Sequence, residues 1–513
     1  MDVLDVVIVG AGHAGANCAA ELRKAGFEGS VALLSDETEP PYERPPLTKD
    51  YLTGERGTEQ IRFRTPEAWL ERAIDVRLAH RVEAVDPQAH LLRLADGRSL
   101  RYGKLVWAAG GTPRRLACEG AMLDGVHVIR AKRDIDALKA DLAGREQVVV
   151  VGGGYVGLEA AAALTKLGGV RVTVVEAQAR LLARVAGEAL SAFVEAEHRG
   201  RGVEIVTGAQ VAALAGRDGR VASVELADGR SIAADLVIVG IGIVPNAQPL
   251  LDAGARGSNG VDVDEACLTS LPDVYAIGDC ACRAHPLVAG GARRIESVPN
   301  AVEQAGIVAA AITGKPAPKP GVPWFWSTQY DLRIQMAGIA DGHDEVVVRG
   351  DVAARAFVVL YLRGGRVIAL DAVNATKEYV QGARLDRGRR RADARAARGR
   401  VGAAAGAHAG RERLSAGGGV AGAGRVRGGR CMAPSAPASR PRRRGSCGLA
   451  RRPPLSWRAP PPRPGARAPG ALAAVQDAPG GRHGQPAAAR LGMTHRRRPL
   501  VSSRPCVPVG RRA

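Results

Sequence analysis

The chain has 513 residues, a length that allows two to four domains with sizeable cores. Its formal charge of +20 is unevenly spread: residues 386–513 hold 29 Arg, no Lys and four acids (Asp386, Asp393, Glu412, Asp477), or +25. Of the 72 basic and 52 acidic residues in all, 43 and 48 remain upstream, so the body carries −5 and is not a uniformly basic nucleic-acid or membrane binder.

The start, Met1-Asp2-Val3-Leu4-Asp5, lacks a basic n-region, and no apolar run approaches about 20 residues. Neither a signal peptide nor a membrane span is expected, and the expected location is cytoplasmic. Leu4–Val9 is a continuous apolar run suited to a buried parallel strand. It runs into Gly10-Ala11-Gly12-His13-Ala14-Gly15, a helical stretch from Ala16 to Ala25, a second strand over Ser30–Leu34, and then Ser35-Asp36-Glu37. Strand, G-x-G-x-x-G, helix, strand and acid, with Asp36 twenty-one residues after Gly15, is the full context of a dinucleotide fold. The first Gly permits a tight turn, the second lets the backbone approach a pyrophosphate, and the third lets helix pack on strand. The helix N-terminus then faces the anion, and the acid accepts from a ribose.

The unit recurs. Gln147–Val151 is followed by Gly152-Gly153-Gly154-Tyr155-Val156-Gly157, a helix over Leu158–Leu167, a strand over Val170–Val175, and Glu176, nineteen residues after Gly157. Two such units in register with their acids imply two dinucleotides in one chain. Glu176 precedes Ala177-Gln178-Ala179, with no Arg before Arg180. A 2′-phosphate would meet a carboxylate there, so NADH is expected over NADPH. The eight cysteines (Cys18, Cys118, Cys267, Cys280, Cys282, Cys431, Cys447, Cys506) show no metal-ligand spacing, and the body holds no C-x-x-C pair. No metal is expected.

Further stretches carry a resemblance: Pro41-Tyr42-Glu43-Arg44-Pro45-Pro46-Leu47-Thr48-Lys49-Asp50-Tyr51-Leu52, Trp107-Ala108-Ala109-Gly110-Gly111-Thr112-Pro113-Arg114, and Gly240-Ile241-Gly242-Ile243-Val244-Pro245-Asn246. Tyr275–Cys280, Glu296–Asn300 and Trp324–Tyr330 continue it. From Val6 to about Ala383 the chain resembles the FAD-dependent ferredoxin and rubredoxin reductases, which include putidaredoxin and rhodocoxin reductases. The resemblance implies an α/β fold of glutathione-reductase type, with two Rossmann-type domains and a small α+β domain, here incomplete. The implied domains are FAD-binding over 1–113 and 245–320, NAD-binding over 114–244, and C-terminal over 321–385.

By the same resemblance, Gly10, Gly12, Ala14 and Gly15 would cradle the FAD pyrophosphate, with Asp36 on the ribose. Val82, Arg130, Asp279 (where a helix begins) and Val298 would make further FAD contacts. Lys49 would sit beside the flavin, where a cation stabilises the reduced ring; a solvated loop lysine is the plain alternative. Gly152, Gly154, Tyr155 and Gly157 would line the NAD path, Glu176 would hold its ribose, and Gly242 would allow a close approach. Glu159 would approach Lys49, or else be an exposed glutamate favoured by the helix dipole. Arg130 could equally be a surface ion-pair partner, and Trp326 either an aromatic near the exposed flavin edge or a core residue. Ala109 departs from the usual Ala-Thr-Gly and loses a hydroxyl near the FAD.

Disulfide reductases on this scaffold carry a C-x-x-x-x-C pair near residues 40–50, and Pro40–Leu52 holds no cysteine. Electrons are therefore expected to leave singly, to a [2Fe-2S] ferredoxin or rubredoxin feeding an oxygenase. A relative reducing a small acceptor (monodehydroascorbate, a quinone or oxygen) is the enzyme alternative. An apoptosis-inducing-factor-like protein with nucleic-acid affinity is the other. In residues 386–513, Gly, Ala, Arg and Pro make up 92 of 128, with Ile, Phe, Tyr, Asn and Lys absent. Such a composition cannot offset the entropy of ordering, so a disordered tail is expected. It is either an arginine-rich arm, binding nucleic acid only non-specifically, or the product of a frame shift in GC-rich DNA, the reading its total lack of Lys favours.

Overall fold

The structure is a computed structural model that describes residues 3–385 except 286, 289 and 290. The expected Arg-rich tail, with Cys431, Cys447 and Cys506, lies outside the described residues.

Continuous apolar runs form the central parallel strands, because a strand covered on both faces has no solvent side to keep polar. Val3–Val9 buries Val6, Val7 and Ile8 completely and lies parallel to Val31–Leu34 and Ser99–Trp107. The sheet order is Ile74–Arg77, Val31–Leu34, Val3–Val9, Ser99–Trp107, Leu91–Leu94, Val82–Asp86, with Val274–Ala276 also parallel to Ser99–Trp107. The chain thus returns to this sheet after building a second one. That second sheet is wholly parallel, in the order Glu204–Thr207, Arg171–Glu176, Gln147–Val151, Leu236–Val239, Val126–Val128. Gly111–Pro113 and Ile243–Pro245, an antiparallel pair, carry the two crossings between the sheets.

The last sheet is antiparallel, in the order Trp324–Gln329, Leu332–Gly338, Arg366–Val373, Ala356–Arg363, Glu345–Asp351, and the helix Thr376–Leu385 packs on it. One apolar core joins this sheet to the second parallel unit: Leu332, Ile334 and Phe357 cluster with Leu164, Leu190 and Phe193. The Phe193 and Phe357 rings meet edge to face, 4.9 Å apart. The expected α/β class, two Rossmann-type units followed by a small α+β part, is what the described residues form.

Local boundaries differ from the sequence reading. Both glycine-loop helices start earlier, at His13 and Tyr155, because extended Gly12 and Gly154 occupy the N-cap positions. The second acid closes its strand, which spans Arg171–Glu176. No long helix begins at Asp279: Gly278–Cys280 is one 3-10 turn, and Ala281–Ala284 continues as a strand parallel to Gly260–Val263. No helix among the described residues is long and apolar enough to cross a membrane.

Candidate active site

The first glycine loop needs its glycines for lack of room. A Cβ on Gly15 would fall on the Gly10 carbonyl oxygen, so only glycine lets the helix His13–Lys24 rest on the first strand. Two guanidiniums converge on this loop. Arg44 Nη2 donates to Glu37 Oε1 at 2.6 Å and Nη1 donates to the Arg130 carbonyl at 2.8 Å, with Arg44 Nε the nearest atom to a Cβ built on Gly12. Arg130 Nη2 donates to Asp279 Oδ2 at 2.9 Å and is the nearest atom to a Cβ built on Gly110. Burial, and then the Arg44 charge, push the His13 imidazole down to about 4. Neutral amides at a helix N-terminus flanked by two arginines make an anion cradle. Ala14 is buried here, with Gly278 above it.

Asp36 is exposed at the end of the second strand. The turn before Val82 returns to this strand end, through His80 N to the Ser35 carbonyl at 2.7 Å. Val82 itself is a buried strand residue on the far edge of the sheet. Val298 opens the helix Val298–Ile312; the Ser297 hydroxyl accepts from Asn300 N, and Pro299 has no amide hydrogen. The Val298 amide is thus left without an intrahelical partner. Of the two sequence alternatives for Arg130, the structure shows the ion pair, with Asp279, and sets the guanidinium against Gly110. Asn246 Nδ2 donates to the Ala109 carbonyl at 3.0 Å, so the Ala109 turn is tied despite its missing hydroxyl.

The second loop repeats the design. A Cβ on Gly157 would fall on the Gly152 carbonyl oxygen. Glu176 reaches back over this loop, its Oε2 accepting from Gly153 N at 2.6 Å and its Oε1 from Gln178 N at 2.8 Å. Gly154 N-caps the helix Tyr155–Leu167. The Tyr155 hydroxyl is buried without a hydrogen-bond partner, on the side of its helix that faces the C-terminal sheet. Gly242 has φ +96° and no heavy atom within 4 Å of the site of a Cβ, which is open backbone.

The two units meet at Lys49 and Glu159. Lys49 Nζ lies 2.6 Å from Glu159 Oε2, with side-chain exposures of 16% and 5%. This excludes both plain alternatives, a solvated lysine and an exposed first-turn glutamate. Pro45–Thr48 forms a 3-10 turn that delivers Lys49, and Thr48 Oγ1 donates to Glu159 Oε2 at 2.6 Å. From the C-terminal sheet, Ser327 Oγ donates to Glu159 Oε1 at 2.7 Å. A buried carboxylate with two hydroxyl donors and a cation is well satisfied. Close by in sequence, half-buried Trp326 lies tilted against Trp324, ring centroids 5.5 Å apart, and Trp324 is 40% exposed. Phe325 faces Tyr155 at 5.0 Å. A cavity of about 250 Å³ lies beside Trp324, Pro299 and Asn300.

A family profile described as pyridine nucleotide-disulphide oxidoreductase matches residues 4–305, and one described as reductase C-terminal matches 324–401. The chain is 55% identical over 386 residues to the 5,5'-dehydrodivanillate O-demethylase ferredoxin reductase subunit of Sphingobium sp., covering 75% of this chain and 93% of that one. The chain belongs to the pyridine nucleotide-disulphide oxidoreductases, in their ferredoxin reductase branch. It is 54% identical over 382 residues to ferredoxin–NAD(P)+ reductase of Sphingomonas sp., covering 74% and 92%. It superposes on the covalent putidaredoxin reductase–putidaredoxin complex with a TM-score of 0.72, at 40% identity, covering 74% and 92%. The C-terminal profile runs to residue 401, past the Asp386 break read from composition.

As a member of this branch the protein is an oxidoreductase of glutathione-reductase-like fold, and its family works with pyridine nucleotide and flavin. The two glycine loops, in which a Cβ would strike backbone, and the paired arginines fit two dinucleotides. The sequence reading did not assign Arg44, Thr48 or Ser327. Arg44 and Thr48 sit in the Pro41–Leu52 stretch already singled out, and Ser327 in Trp324–Tyr330. The five cysteines among the described residues are free, and no group of metal-binding side chains occurs among them.

Proposed function

We propose that this reductase passes electrons from NADH through FAD to a [2Fe-2S] ferredoxin or a rubredoxin that serves an oxygenase. NADH and two oxidised one-electron carriers give NAD+, two reduced carriers and a proton. The observation that carries the reading is the 2.6 Å Lys49–Glu159 pair, which makes one site of two dinucleotide-binding units.

FAD is assigned to residues 1–113 and 245–320, NAD to 114–244, and the acceptor side to 321–385. Gly10, Gly12, Ala14 and Gly15 hold the FAD pyrophosphate with Arg44 and Arg130. Asp36 and Val82 serve the adenosine end, Asp279 the ribityl chain, and the Val298 amide the ring edge. Gly152, Gly154, Tyr155, Gly157, Glu159, Glu176 and Gly242 hold NADH. When bound, the flavin supplies a group that takes two electrons as a hydride and gives them up singly. Lys49 offers a cation where negative charge grows, and Glu159 and the Pro45–Thr48 turn fix its direction. The helix Tyr155–Leu167 presents its N-terminal amides to the NADH pyrophosphate. The lack of cysteine over Pro40–Leu52 favours exit by single electrons, past Trp326.

Reduction of a [2Fe-2S] ferredoxin tests the reading. It slows steeply as salt rises, because steering charges are screened beyond about 8 Å at physiological ionic strength. Ferricyanide reduction slows far less. An equal salt response, or no ferredoxin reduction, favours a small acceptor instead.

A further inference from the structure

Behind Ser327 the donors continue in one direction. Gln329 Nε2 donates to Ser327 Oγ at 3.1 Å, and His198 Nε2 meets Gln329 Oε1 at 2.9 Å. Tyr330 OH meets His198 Nδ1 at 3.0 Å. The amide oxygen of Gln329 only accepts, so His198 carries its proton on Nε2. Burial holds the His198 imidazole below its ordinary value. The neutral ring therefore leaves Nδ1 bare to accept from Tyr330. The order is Tyr330 to His198 to Gln329 to Ser327 to Glu159, every donor aimed at the carboxylate.

Each inner member is closed off from water: Ser327 is 0% exposed, Gln329 1%, His198 0% and Glu159 5%. The chain ends at the surface, where Tyr330 lines a cavity with Thr165, Lys166, Arg201 and Asp331 and lies under the Arg201 guanidinium at 4.4 Å. Aligned hydrogen bonds polarise one another, and more so away from water. An amide in the middle makes a poor proton conductor, because it would have to tautomerise at every passage. The arrangement suits holding a charge, not moving a proton.

We propose that Ser327, Gln329 and His198 are positioning residues, a one-way relay that fixes and partly neutralises the Glu159 carboxylate and so sets how much of the Lys49 charge the bound flavin feels. This rests on the reading of Lys49 and Glu159 as lying beside the flavin. The relay ties the C-terminal sheet, through the helix Glu188–Arg199 of the second unit, to a site built by the two dinucleotide-binding units. Removing the Ser327 donor leaves Glu159 more negative toward Lys49, which weakens the cation's hold on the reduced ring.

The test is the midpoint potential of the bound flavin in holoenzyme, measured for Ser327→Ala, Glu159→Gln, their double variant and Lys49→Met. Ser327→Ala lowers the potential by the equivalent of a tenfold change in the oxidised–reduced ratio, about 30 mV for a two-electron couple. Ser327→Thr, which keeps the hydroxyl, restores most of it. In the Glu159→Gln background Ser327→Ala adds no further shift. A shift of equal size in both backgrounds overturns the relay, because Ser327 would then act through packing alone. No shift in Ser327→Ala beside a clear shift in Glu159→Gln overturns the relay but leaves the site reading intact. No shift in Glu159→Gln or Lys49→Met overturns both. Should Ser327→Ala lose its flavin, Gln329→Leu, which keeps the serine hydroxyl but removes its donor, is measured in the same cycle with the same outcomes.

Discussion

Replacing Glu176 by Ala probes the residue whose charge we propose decides between two co-substrates. Its carboxylate is fixed over the second glycine loop by the Gly153 and Gln178 amides, at 2.6 and 2.8 Å. A ribose diol that adds to it gains hydrogen bonds to a charged acceptor, worth about 1.5–3 kcal/mol. The Ala variant therefore binds NADH about 10- to 150-fold more weakly, at about 1.4 kcal/mol per tenfold. The loop itself survives, because Leu182 N still donates to the Gly153 carbonyl at 2.9 Å. NADPH binding does not suffer the same loss, since its 2′-phosphate no longer meets a carboxylate. It does not become tight either: Arg180, the next guanidinium, is held by the Ala186 and Ala183 carbonyls at 2.8 and 3.2 Å. The assay is titration of the oxidised enzyme with each nucleotide, together with anaerobic bleaching of the flavin. The NADH over NADPH preference narrows at least about tenfold. An unchanged preference refutes the assignment of Glu176 to the ribose.

Other outcomes follow from the same geometry. Arg44→Leu removes the donor to Glu37 and to the Arg130 carbonyl and yields protein poor in flavin; FAD reconstitution needs at least about tenfold more FAD, and full retention would remove Arg44 from the cradle. Asp371 is buried and accepts from Tyr361, and burial lifts its carboxyl to about 7. A raised folded-state value means that the contribution of Asp371 to stability is greatest below about 4 and is lost as pH rises to about 7, by up to about 4 kcal/mol. Asp371→Asn therefore gains stability over the wild type at pH 8 but not at pH 4, and parallel unfolding curves at both would contradict this. Truncation after residue 401, where the family match ends, leaves NADH–ferricyanide activity intact and abolishes salt-sensitive nucleic-acid binding. Loss of flavin on truncation would make residues 402–513 part of the working enzyme.

The features read correctly from sequence are those whose causes lie within a few residues. Gly10 and Gly15, or Gly152 and Gly157, collide through atoms five residues apart, so the glycine spacing carries the turn, the helix and the anion site together. Apolar runs such as Val148–Val151 declare a buried parallel strand for the same local reason. Composition alone separated the acidic body from the Arg-rich stretch. The limits of that locality appear at Asp279, where a strand follows instead of a helix because Ala281–Arg283 pairs with Val261–Val263. They appear again in the choice between an exposed Glu159 and a buried one, since Thr48 and Ser327 lie 111 and 168 positions away. His198 and Gln329 are 131 apart, and Arg44 and Arg130 86 apart. Spacing along the chain fixes which face a side chain takes on its own helix or strand. Only the packing of the first unit and the C-terminal sheet against the second decides which buried polar groups must satisfy one another, because an unpaired buried charge would cost on the order of 3–5 kcal/mol.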